Sequence, residues 1–380
     1  MAESAHPSPE SQTQATAEPA PTPVRPVSVG WVSGGGAFHR LGRTLGPLSV
    51  GLLDEFVHPT VMCPEKEDTF ALPTPPVNVH TYEQGKWFSK PSRTAESLAE
   101  GVRGRKLNLL HALDGAAVDL TRALAGQLDL PYLVSCYSAE DAKRLPRQDP
   151  RMVGVLPACK ATKAALRRRK VCPPEALHLL RPGVHRVRRA NCFNNPEQSV
   201  CVATCGVLDR SKPYAALLKA FASVKASQAD SVLFVIGNGP AERTLREQAS
   251  KLGIGQETTF SDAIPSRQLA GIFKSADVYV SAADRPELDV YSLLAMAAGV
   301  PVVAAAGGNS DFLIDGQTAM LYPRGDAAAL GEKLLSLMAD QQAARDQAQN
   351  ALAYVGEHHS PAVMVSKLAD IYRQTLAAGE

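Results

Sequence analysis

Glycine-rich turns are the parts of this sequence best suited to bind an anion. Gly34, Gly35 and Gly36 follow the first apolar strand, and Gly307 and Gly308 follow a later one. Glycine lets backbone amides approach an anion closely, and the start of a helix adds partial positive charge. These turns therefore predict binding of a phosphate group. A tight strand-to-helix turn is the alternative, because the dinucleotide fingerprint Gly-x-Gly-x-x-Gly is absent from the sequence.

A lysine at the start of a predicted helix, Lys212, is a cation placed to hold such an anion. Arg210 lies two residues before it and adds a second positive charge if its loop points inward. A lysine at a helix start is otherwise solvent-exposed, so the residues alone leave both interpretations open.

The elements that must position such a site are concentrated between Ala276 and Leu321. Apolar runs predict two strands, and a nearly all-buried spacing predicts a short helix that ends at Gly299. The Gly-Gly turn then opens onto another helix. In order, the predicted strand, helix, strand and helix are Ala276–Ser281, Tyr291–Ala298, Val302–Ala305 and Ser310–Ile314. A doubly wound sheet with this order forms a phosphate-facing crevice at the carboxyl ends of its strands.

Both halves of the chain alternate apolar strands with helices, which predicts two doubly wound α/β domains. A chain of 380 residues with 45% hydrophobic content is long enough to bury two cores. Residues 1–26 are rich in Pro, Ser, Thr, Ala, Glu and Gln and lack apolar periodicity, so a disordered tail is predicted there. The predicted boundaries are 27–193 and 194–360 for two Rossmann-like domains, with a final helix within 361–380.

Composition excludes several classes of protein. A net charge of +2 and a pI near 8.1 imply no bulk affinity for nucleic acid. No apolar run of about 18 residues occurs, and the N-terminus lacks the charged-then-apolar order of a secretory signal, so a cytoplasmic protein is predicted. Seven cysteines without a Cys-x-x-Cys pair favour reduced thiols over a disulfide framework or a zinc site.

Basic residues are concentrated between Asp141 and Ala190, where 14 lysines and arginines accompany three acidic residues. The densest clusters are Arg167–Lys170 and Arg186–Arg189. Like charges this close repel one another, which favours an anionic partner such as a phosphate-rich acceptor or an acidic membrane surface. A solvated helix face is the alternative.

The string Leu294-Ala-Met-Ala-Ala-Gly-Val-Pro-Val-Val303 resembles the donor-nucleotide motif of the family 4 retaining glycosyltransferases, two-domain enzymes of the GT-B fold. The resemblance spans residues 27–376 and is closest over 198–338. It implies a GT-B protein with an interdomain crevice and a last helix that crosses back to the first domain. The implied activity is transfer of a sugar, with retention, from a nucleotide-sugar donor to an acceptor hydroxyl.

The resemblance also implies the residues that bind the donor. Gly34–Gly36 matches the family's Gly-Gly loop near the donor phosphates, and Gly237-Asn-Gly-Pro240 closely matches its Gly-x-Gly-Pro. Lys212 matches the lysine that clamps the diphosphate. The family needs no metal, and no Asp-x-Asp motif occurs here, so neither a metal nor a separate cofactor is predicted. The predicted donor set is Gly34, Gly35, Gly36, Arg210, Lys212, Gly237, Gly239, Gly307 and Gly308.

Four positions depart from the family's pattern. The family has a glutamate at the place of Leu294 and another eight positions earlier, at the place of Pro286. Where the family has Gly-Arg-Leu, this sequence has Gly-Val-Leu, with Val207 at the place of the arginine. Where the family has His-Asp after a strand, this sequence has Tyr-Ser, with Tyr137 at the place of the histidine. Tyr137 and Glu287, which adjoins Pro286, are therefore the residues predicted at the catalytic positions. A tyrosine donates a hydrogen bond but does not carry the proton chemistry of imidazole near neutral pH.

The substitutions at these four positions remove polar contacts to the substrate, each of which contributes on the order of 1 to 3 kcal/mol of binding free energy. Their loss supports an alternative function, a GT-B protein that acts as a binding or scaffold protein. A third alternative is an epimerase of the same fold, which the Ala-Met-Ala-Ala-Gly string disfavours. His111 follows a predicted strand and matches a histidine of the family. A lone histidine at a strand end is more often a structural residue than a ligand.

Overall fold

The computed structural model describes most of the chain after its first 24 residues. The described residues are 25–35, 37–66, 72, 76–83, 91–190, 192–195, 197–209, 213–264, 266–283, 287–307 and 311–378. The predicted tail lies outside these ranges except for residues 25 and 26. Five residues of the sequence predictions also lie outside the described ranges: Gly36, Arg210, Lys212, Pro286 and Gly308.

Residues 27–157 form a six-stranded sheet in which every pairing is parallel. The strands are β1 (Val27–Val32), β2 (Val57–Pro64), β3 (Asn78–Tyr82), β4 (Leu109–Ala112), β5 (Tyr132–Cys136) and β6 (Met152–Pro157). Their spatial order is β3-β2-β1-β4-β5-β6, so the chain winds outward from β1 in both directions. The helices of this half are α1 (Ala37–Asp54), α2 (Pro91–Val102), α3 (Val118–Leu128), α4 (Ala139–Arg144) and α5 (Lys160–Arg169).

Residues 200–322 form a second parallel six-stranded sheet, in the order β12-β11-β10-β7-β8-β9. The strands are β7 (Val200–Cys205), β8 (Ser231–Ile236), β9 (Thr258–Ser261), β10 (Val278–Val280), β11 (Val302–Ala305) and β12 (Met320–Tyr322). The helices are α6 (Tyr214–Ser227), α7 (Glu242–Lys251), α8 (Ser266–Phe273), α9 (Val290–Ala297), α10 (Ala327–Ala339), α11 (Gln341–His358) and α12 (Pro361–Ala377).

These two sheets confirm the predicted fold class, an α/β protein built from two doubly wound sheets. Separate apolar clusters cover the two faces of each sheet, two clusters for the first and two for the second. Burial on both faces follows from crossover helices that pack against both sides of a parallel sheet. The sequences of β8 and β11 are near-continuous apolar runs for the same reason.

One long helix, α11, was not predicted from the sequence. Its inward face consists mainly of small residues, because Ala344, Ala348 and Ala351 are buried together with Leu352 and Val355. Alanine contributes little to an apolar periodicity, so the buried stripe of this helix is hard to recognise among its many polar residues.

The helix predicted at Ser310–Ile314 is wrong over the part that the structure describes. Residues 311 and 312 form a turn, and residues 313 and 314 have no regular secondary structure. The Thr318 hydroxyl donates to the Phe312 carbonyl (2.5 Å) and accepts from the Ile314 amide (2.9 Å). A side chain four to six residues away thus takes the backbone groups that a helix would pair, which is how a threonine competes with helix formation.

Helix α12 returns to the first domain and packs against α1. The Tyr372 hydroxyl of α12 accepts a hydrogen bond from Trp31 Nε1 of β1 (2.9 Å) and contacts His111 Nδ1 of β4 (2.6 Å). His111 Nε2 lies 2.9 Å from Ser135 Oγ of β5. Burial lowers the pKa of His111 to about 3. His111 is therefore a neutral core residue with both ring nitrogens hydrogen-bonded. This agrees with the sequence-based expectation that a lone histidine at a strand end is a structural residue.

Candidate functional site

The carboxyl ends of strands from both sheets surround an interdomain cavity of about 260 Å³. Tyr137 and Ser138, which follow β5, contribute the wall from the first domain. The loops Cys205–Val207 after β7 and Ala282–Ala283 after β10, with the segment Glu287–Tyr291 that leads into α9, contribute the wall from the second. Doubly wound sheets bind their ligands at this edge, so the cavity is the candidate site.

Tyr137 and Ser138 are held in place by the start of α4. Asp141 Oδ2 accepts hydrogen bonds from the amides of Tyr137 (3.0 Å) and Ser138 (3.1 Å), and Ser138 Oγ accepts from the Asp141 amide (3.0 Å). This reciprocal pattern is a capping box, with the serine as N-cap. The Tyr137 side chain is only 6% exposed and packs in the core of the first domain, so little of its phenol reaches solvent.

Main-chain pairing joins the two domains at this wall. The Leu288 amide donates to the Tyr137 carbonyl (2.9 Å), and Ser138 forms an antiparallel bridge with Glu287. The structure therefore brings together Tyr137 and Glu287, the two residues predicted at catalytic positions, from opposite domains. Glu287 is partly exposed and lines the cavity, so its carboxylate is accessible to a polar ligand.

Asp289 is a cavity-lining carboxylate that the sequence predictions missed. It is 6% exposed and is the N-cap of α9, where it accepts from the Ser292 amide (3.1 Å) and hydroxyl and from the Ser281 hydroxyl (2.5 Å). These donors fix the loop that carries Glu287. The sequence did contain a signal, because an aspartate just before an apolar helical run is the pattern of a helix start.

The other ionisable groups next to Asp289 stay protonated at neutral pH. Burial, assisted by the Asp289 charge, raises the pKa of Cys205 to about 12. Burial also raises the pKa values of Tyr214 and Tyr279 above their ordinary range. A neutral thiol and neutral phenols do not act as nucleophile or base here. Among the described residues of the cavity wall, Glu287 and Asp289 are the charged ones.

Gly237 and Gly239 lie behind the cavity wall, where they let two loops touch. A Cβ atom on Gly237 would collide with the Gly206 carbonyl oxygen, and one on Gly239 with that of Leu208. The Leu208 amide also donates to the Asn238 carbonyl (2.9 Å). The two glycines thus allow the close backbone approach that positions the loop after β7. Their predicted contact with the donor stays a prediction.

Val207 stands in this loop at the place of the family's arginine. Its side chain is 59% exposed and lines the cavity. An apolar side chain offers no charge to a diphosphate, so a cationic clamp from this loop would depend on Arg210 and Lys212, which follow outside the described residues.

The described part of the first glycine turn has its amides engaged. The Gly34 amide donates to Asp114 Oδ2 (3.1 Å), and the Gly35 amide donates to Ser33 Oγ (3.2 Å). A Cβ atom on Gly34 would lie 2.6 Å from Ala116, so glycine is required there for packing. Phosphate binding by this turn stays a prediction, and an anion would compete with the two side-chain oxygens for these amides.

Asp311, which follows β11 in the chain, connects the two domains. Gly307 has a left-handed φ of 71°, and further along the chain the Asp311 carboxylate turns to the first domain. It accepts from the Lys160 amide at the start of α5 (3.2 Å) and forms an ion pair with Arg181 (2.5 Å). Burial raises the pKa of Asp311, but the hydrogen bonds from Arg181 and Lys160 outweigh burial and hold it below its ordinary value.

Leu294 lies in the core of the second domain. Its side chain is 9% exposed and belongs to the apolar cluster that includes Leu293 and Met296, its neighbours on α9. The position at which the family carries a carboxylate is therefore filled by a packed apolar residue. The carboxylates that do reach the cavity come from the loop before α9.

Within the described ranges, no group of three or more histidine, cysteine, aspartate or glutamate residues is arranged to hold a metal ion. Among the same residues, no helix has the length and apolar character needed to span a bilayer. The seven cysteines are free thiols.

Residues 190–353 match the family model described as glycosyl transferases group 1. The chain is 28% identical over 204 residues to the GDP-mannose-dependent alpha-(1-6)-phosphatidylinositol monomannoside mannosyltransferase of Mycolicibacterium smegmatis, which covers 49% of this chain and 52% of the relative. It is 26% identical over 289 residues to the D-inositol 3-phosphate glycosyltransferase of Segniliparus rotundus, which covers 74% of this chain and 59% of the relative. The chain thus matches less than two thirds of the length of these curated relatives.

Solved structures share the fold over nearly the whole chain. Sucrose-phosphate synthase of Thermosynechococcus elongatus has a TM-score of 0.74 at 20% identity, covering 93% of this chain and 100% of its own. Alr3699/HepE of Anabaena, in complex with UDP-glucose, has a TM-score of 0.71 at 14% identity, covering 92% and 99%. At these identities the likeness establishes the fold, and it confirms the GT-B architecture.

Proposed function

We propose that this protein is a glycosyltransferase, because residues 190–353 match the family model described as glycosyl transferases group 1. It moves a sugar from a nucleotide-sugar donor to an acceptor hydroxyl. The observation that carries the proposal is the cavity at the carboxyl ends of two doubly wound sheets, where Tyr137 and Glu287 meet from opposite domains.

The donor in this proposal is a nucleotide-sugar bound against the second domain. Two similar proteins support it, since Alr3699/HepE was solved with UDP-glucose and the M. smegmatis mannosyltransferase is named as GDP-mannose-dependent. Lys212 and Arg210 hold the diphosphate. Departure of the diphosphate builds negative charge, and fixed positive groups stabilise that charge in the transition state.

The sugar occupies the interdomain cavity, where Glu287 accepts hydrogen bonds from its hydroxyls and Asp289 keeps the Glu287 loop in place. The reaction breaks the bond between the anomeric carbon and the diphosphate oxygen and forms a bond from that carbon to the acceptor oxygen. Retention at the anomeric carbon follows the family resemblance. Neither a metal ion nor a separate cofactor is part of the proposal.

The acceptor in this proposal carries a phosphate group. The two relatives are named for a phosphatidylinositol monomannoside and for D-inositol 3-phosphate. The basic cluster Arg167–Lys170 at the end of α5 adds support, because three of its four residues are exposed. Its charge suits either a free phosphorylated acceptor or one that lies in an acidic membrane surface. The protein then works in the cytoplasm, at times on the inner face of a membrane.

Calorimetric titration with UDP, GDP and their sugar conjugates tests donor binding, and mass spectrometry of mixtures with inositol phosphates tests transfer. We expect saturable binding of one nucleotide class, and release of the nucleoside diphosphate that depends on the acceptor. Glu287→Gln should lower turnover more than it lowers donor affinity. A folded sample that gives no heat with any member of the panel would refute the proposal.

A binding or scaffold protein of the same fold is the second candidate. The observation that favours it is the direct pairing of Leu288 with Tyr137 across the crevice, together with the packing of Leu294 in the core. A protein of this class binds the donor without turnover. Donor binding with no transfer to any acceptor and no hydrolysis of the donor would support this candidate over the first.

A further inference from the structure

The outer edge of the first sheet is an extended segment, Leu177–Arg181, that continues the sheet beyond β6. Leu177 forms a parallel bridge with Val155, and the His178 amide donates to the Val155 carbonyl (3.0 Å). The His178 ring packs over Gly154 of the same strand. These contacts fix the position of the imidazole at the edge of the sheet.

Helices α5 and α12 flank this segment on opposite sides. Leu177 shares an apolar cluster with Leu166 of α5, and Leu180 shares another with Leu368 of α12. Three basic residues lie next to these core residues in the sequence, or about one helical turn from them. They are Lys163 and Arg167 on α5 and Lys367 on α12.

We call this basic part of the surface the cationic edge and define it by Lys163, Arg167, His178 and Lys367. Burial and the charges of Lys163 and Lys367 lower the pKa of His178. Burial and the Arg167 charge lower the pKa of Lys163, and burial with the charges of Arg181 and Lys163 lowers that of Lys367. Lys163, His178 and Lys367 thus repel one another, and Arg167 repels Lys163, its neighbour on α5.

Two acidic side chains near the cationic edge, Asp311 and Asp370, are paired with other groups. Asp311 is held by Arg181 (2.5 Å) and by the amide of Lys160, and Asp370, on α12 one turn after Lys367, pairs with Arg373 (3.4 Å). Within the described residues, none of the four side chains of the cationic edge has a hydrogen bond or an ion pair. Positive charge is thus contributed by three segments of the chain, and no carboxylate among the described residues pairs with these four groups.

We propose that the cationic edge is a binding site for a phosphate monoester, separate from the interdomain cavity. A phosphate monoester carries a charge of about −1.5 to −2 at pH 7 and three strong acceptor oxygens. Two lysine ammonium groups act as point charges toward it, the Arg167 guanidinium adds planar donors, and the imidazole of His178 adds another donor. Such an anion removes the repulsion that the basic groups otherwise impose on one another.

Calorimetric titration of the full chain with inorganic phosphate and with glycerol 3-phosphate, at constant ionic strength, measures this binding directly. The test variant combines Lys163→Gln with Lys367→Gln. The matched control combines Lys219→Gln with Lys251→Gln, which removes the same charge from exposed positions of the second domain. We expect Kd to rise about tenfold or more in the test variant and to stay unchanged in the control. Measurable binding with equal affinities in the two variants would overturn the proposal.

A second arm distinguishes a soluble ester from a lipid headgroup with the same chemistry. Sedimentation with phosphatidylcholine vesicles that contain phosphatidic acid presents the phosphate monoester on a membrane. Binding of glycerol 3-phosphate that needs Lys163 and Lys367 identifies a soluble ligand, and lysine-dependent sedimentation without that binding identifies a lipid. Failure in both arms overturns the proposal. Neither arm uses a nucleotide-sugar, so the result is independent of the proposed glycosyltransferase activity.

The imidazole of His178 provides a readout inside the site. Its pKa, followed by NMR titration, should rise when phosphate binds, because the anion offsets the charges of Lys163 and Lys367. His58, which is exposed on β2, serves as the control and should not respond. Bound phosphate that leaves the pKa of His178 unchanged would place the anion elsewhere and overturn the assignment.

Discussion

Replacing Leu294 by glutamate restores the family's carboxylate and tests which environment surrounds this position. The leucine is 9% exposed and packs in an apolar cluster of the second domain. A carboxyl group placed in such a cluster is held protonated, because burial disfavours its charged form. We therefore expect Leu294→Glu to destabilise the protein and not to tighten binding of a nucleotide.

The magnitude follows from two contributions. In the unfolded chain the glutamate has a pKa of about 4.3 and is ionised at pH 7, whereas in the folded core it must stay protonated. At about 1.36 kcal/mol per pH unit, this difference lowers the free energy of unfolding by about 3.7 kcal/mol at pH 7. Replacing the two buried methyl groups of the leucine by a carboxyl group also removes about 1.6 kcal/mol of hydrophobic stabilisation. The free energy of unfolding should therefore fall by about 5 kcal/mol at pH 7. Because the folded-state pKa is raised, the loss grows as the pH rises above about 4.3, and it should be about 2.7 kcal/mol smaller at pH 5.

Urea unfolding followed by circular dichroism at pH 5, 6 and 7 measures these differences. Leu294→Gln is the control, because it introduces a polar group of similar size that does not titrate. Calorimetric titration with the nucleotides completes the assay. The reasoning is refuted if the glutamate and glutamine variants have the same pH dependence, or if glutamate tightens nucleotide binding without loss of stability. The second result would place position 294 beside the ribose.

Four further predictions concern substitutions elsewhere in the chain. Lys212→Ala should weaken binding of a nucleoside diphosphate by about 1.5 to 3 kcal/mol in calorimetric titration, and an unchanged Kd would remove Lys212 from the clamp. Gly239→Ala should destabilise the protein by about 1 to 3 kcal/mol, because the added Cβ clashes with the neighbouring loop. Its control is Gly126→Ala in α3, which should stabilise by about 0.5 to 1 kcal/mol, because the added Cβ meets no atom within 4 Å. Equal shifts of the two melting temperatures would contradict this. Tyr372→Phe leaves a buried tryptophan N–H unpaired and should cost about 1 to 3 kcal/mol in denaturant unfolding, and a neutral result would show that another acceptor replaces the hydroxyl. Asp289→Ala should lower the free energy of unfolding by about 0.5 to 2 kcal/mol, because it removes the N-cap of α9. An asparagine at this position can still cap the helix, so Asp289→Asn should retain most of the stability. An equal loss of stability in both variants would assign the effect to charge.

The second sheet could be predicted closely because its signals are local. Val302–Ala305 has the predicted bounds, and α9 differs from its predicted span by one residue at each end. Continuous apolar runs interrupted by Gly299 and Pro301 leave few alternatives for these elements. The resemblance then supplied the fold class, which the structure confirms.

The contacts within the candidate site could not be predicted, because they join distant parts of the chain. Arg181 and Asp311 are 130 residues apart, and no local pattern indicates that they form an ion pair. The pairing of Leu288 with Tyr137 is likewise a property of how the domains meet. The close approach of the Gly206 carbonyl to Gly237 is also visible only in the folded chain, and the predicted contact of Gly237 with the donor stays a prediction.

The return of α12 to the first domain affects the order in which the chain acquires its structure during synthesis. Trp31 in β1 and Tyr372 in α12 are separated by 341 residues. At a translation rate of about 5 to 20 residues per second, roughly 20 to 70 s pass between the synthesis of the two side chains. During that interval the face of the first sheet that α12 covers lacks part of its apolar cover. The N-terminal domain therefore completes its core after the C-terminal domain, although it is made first.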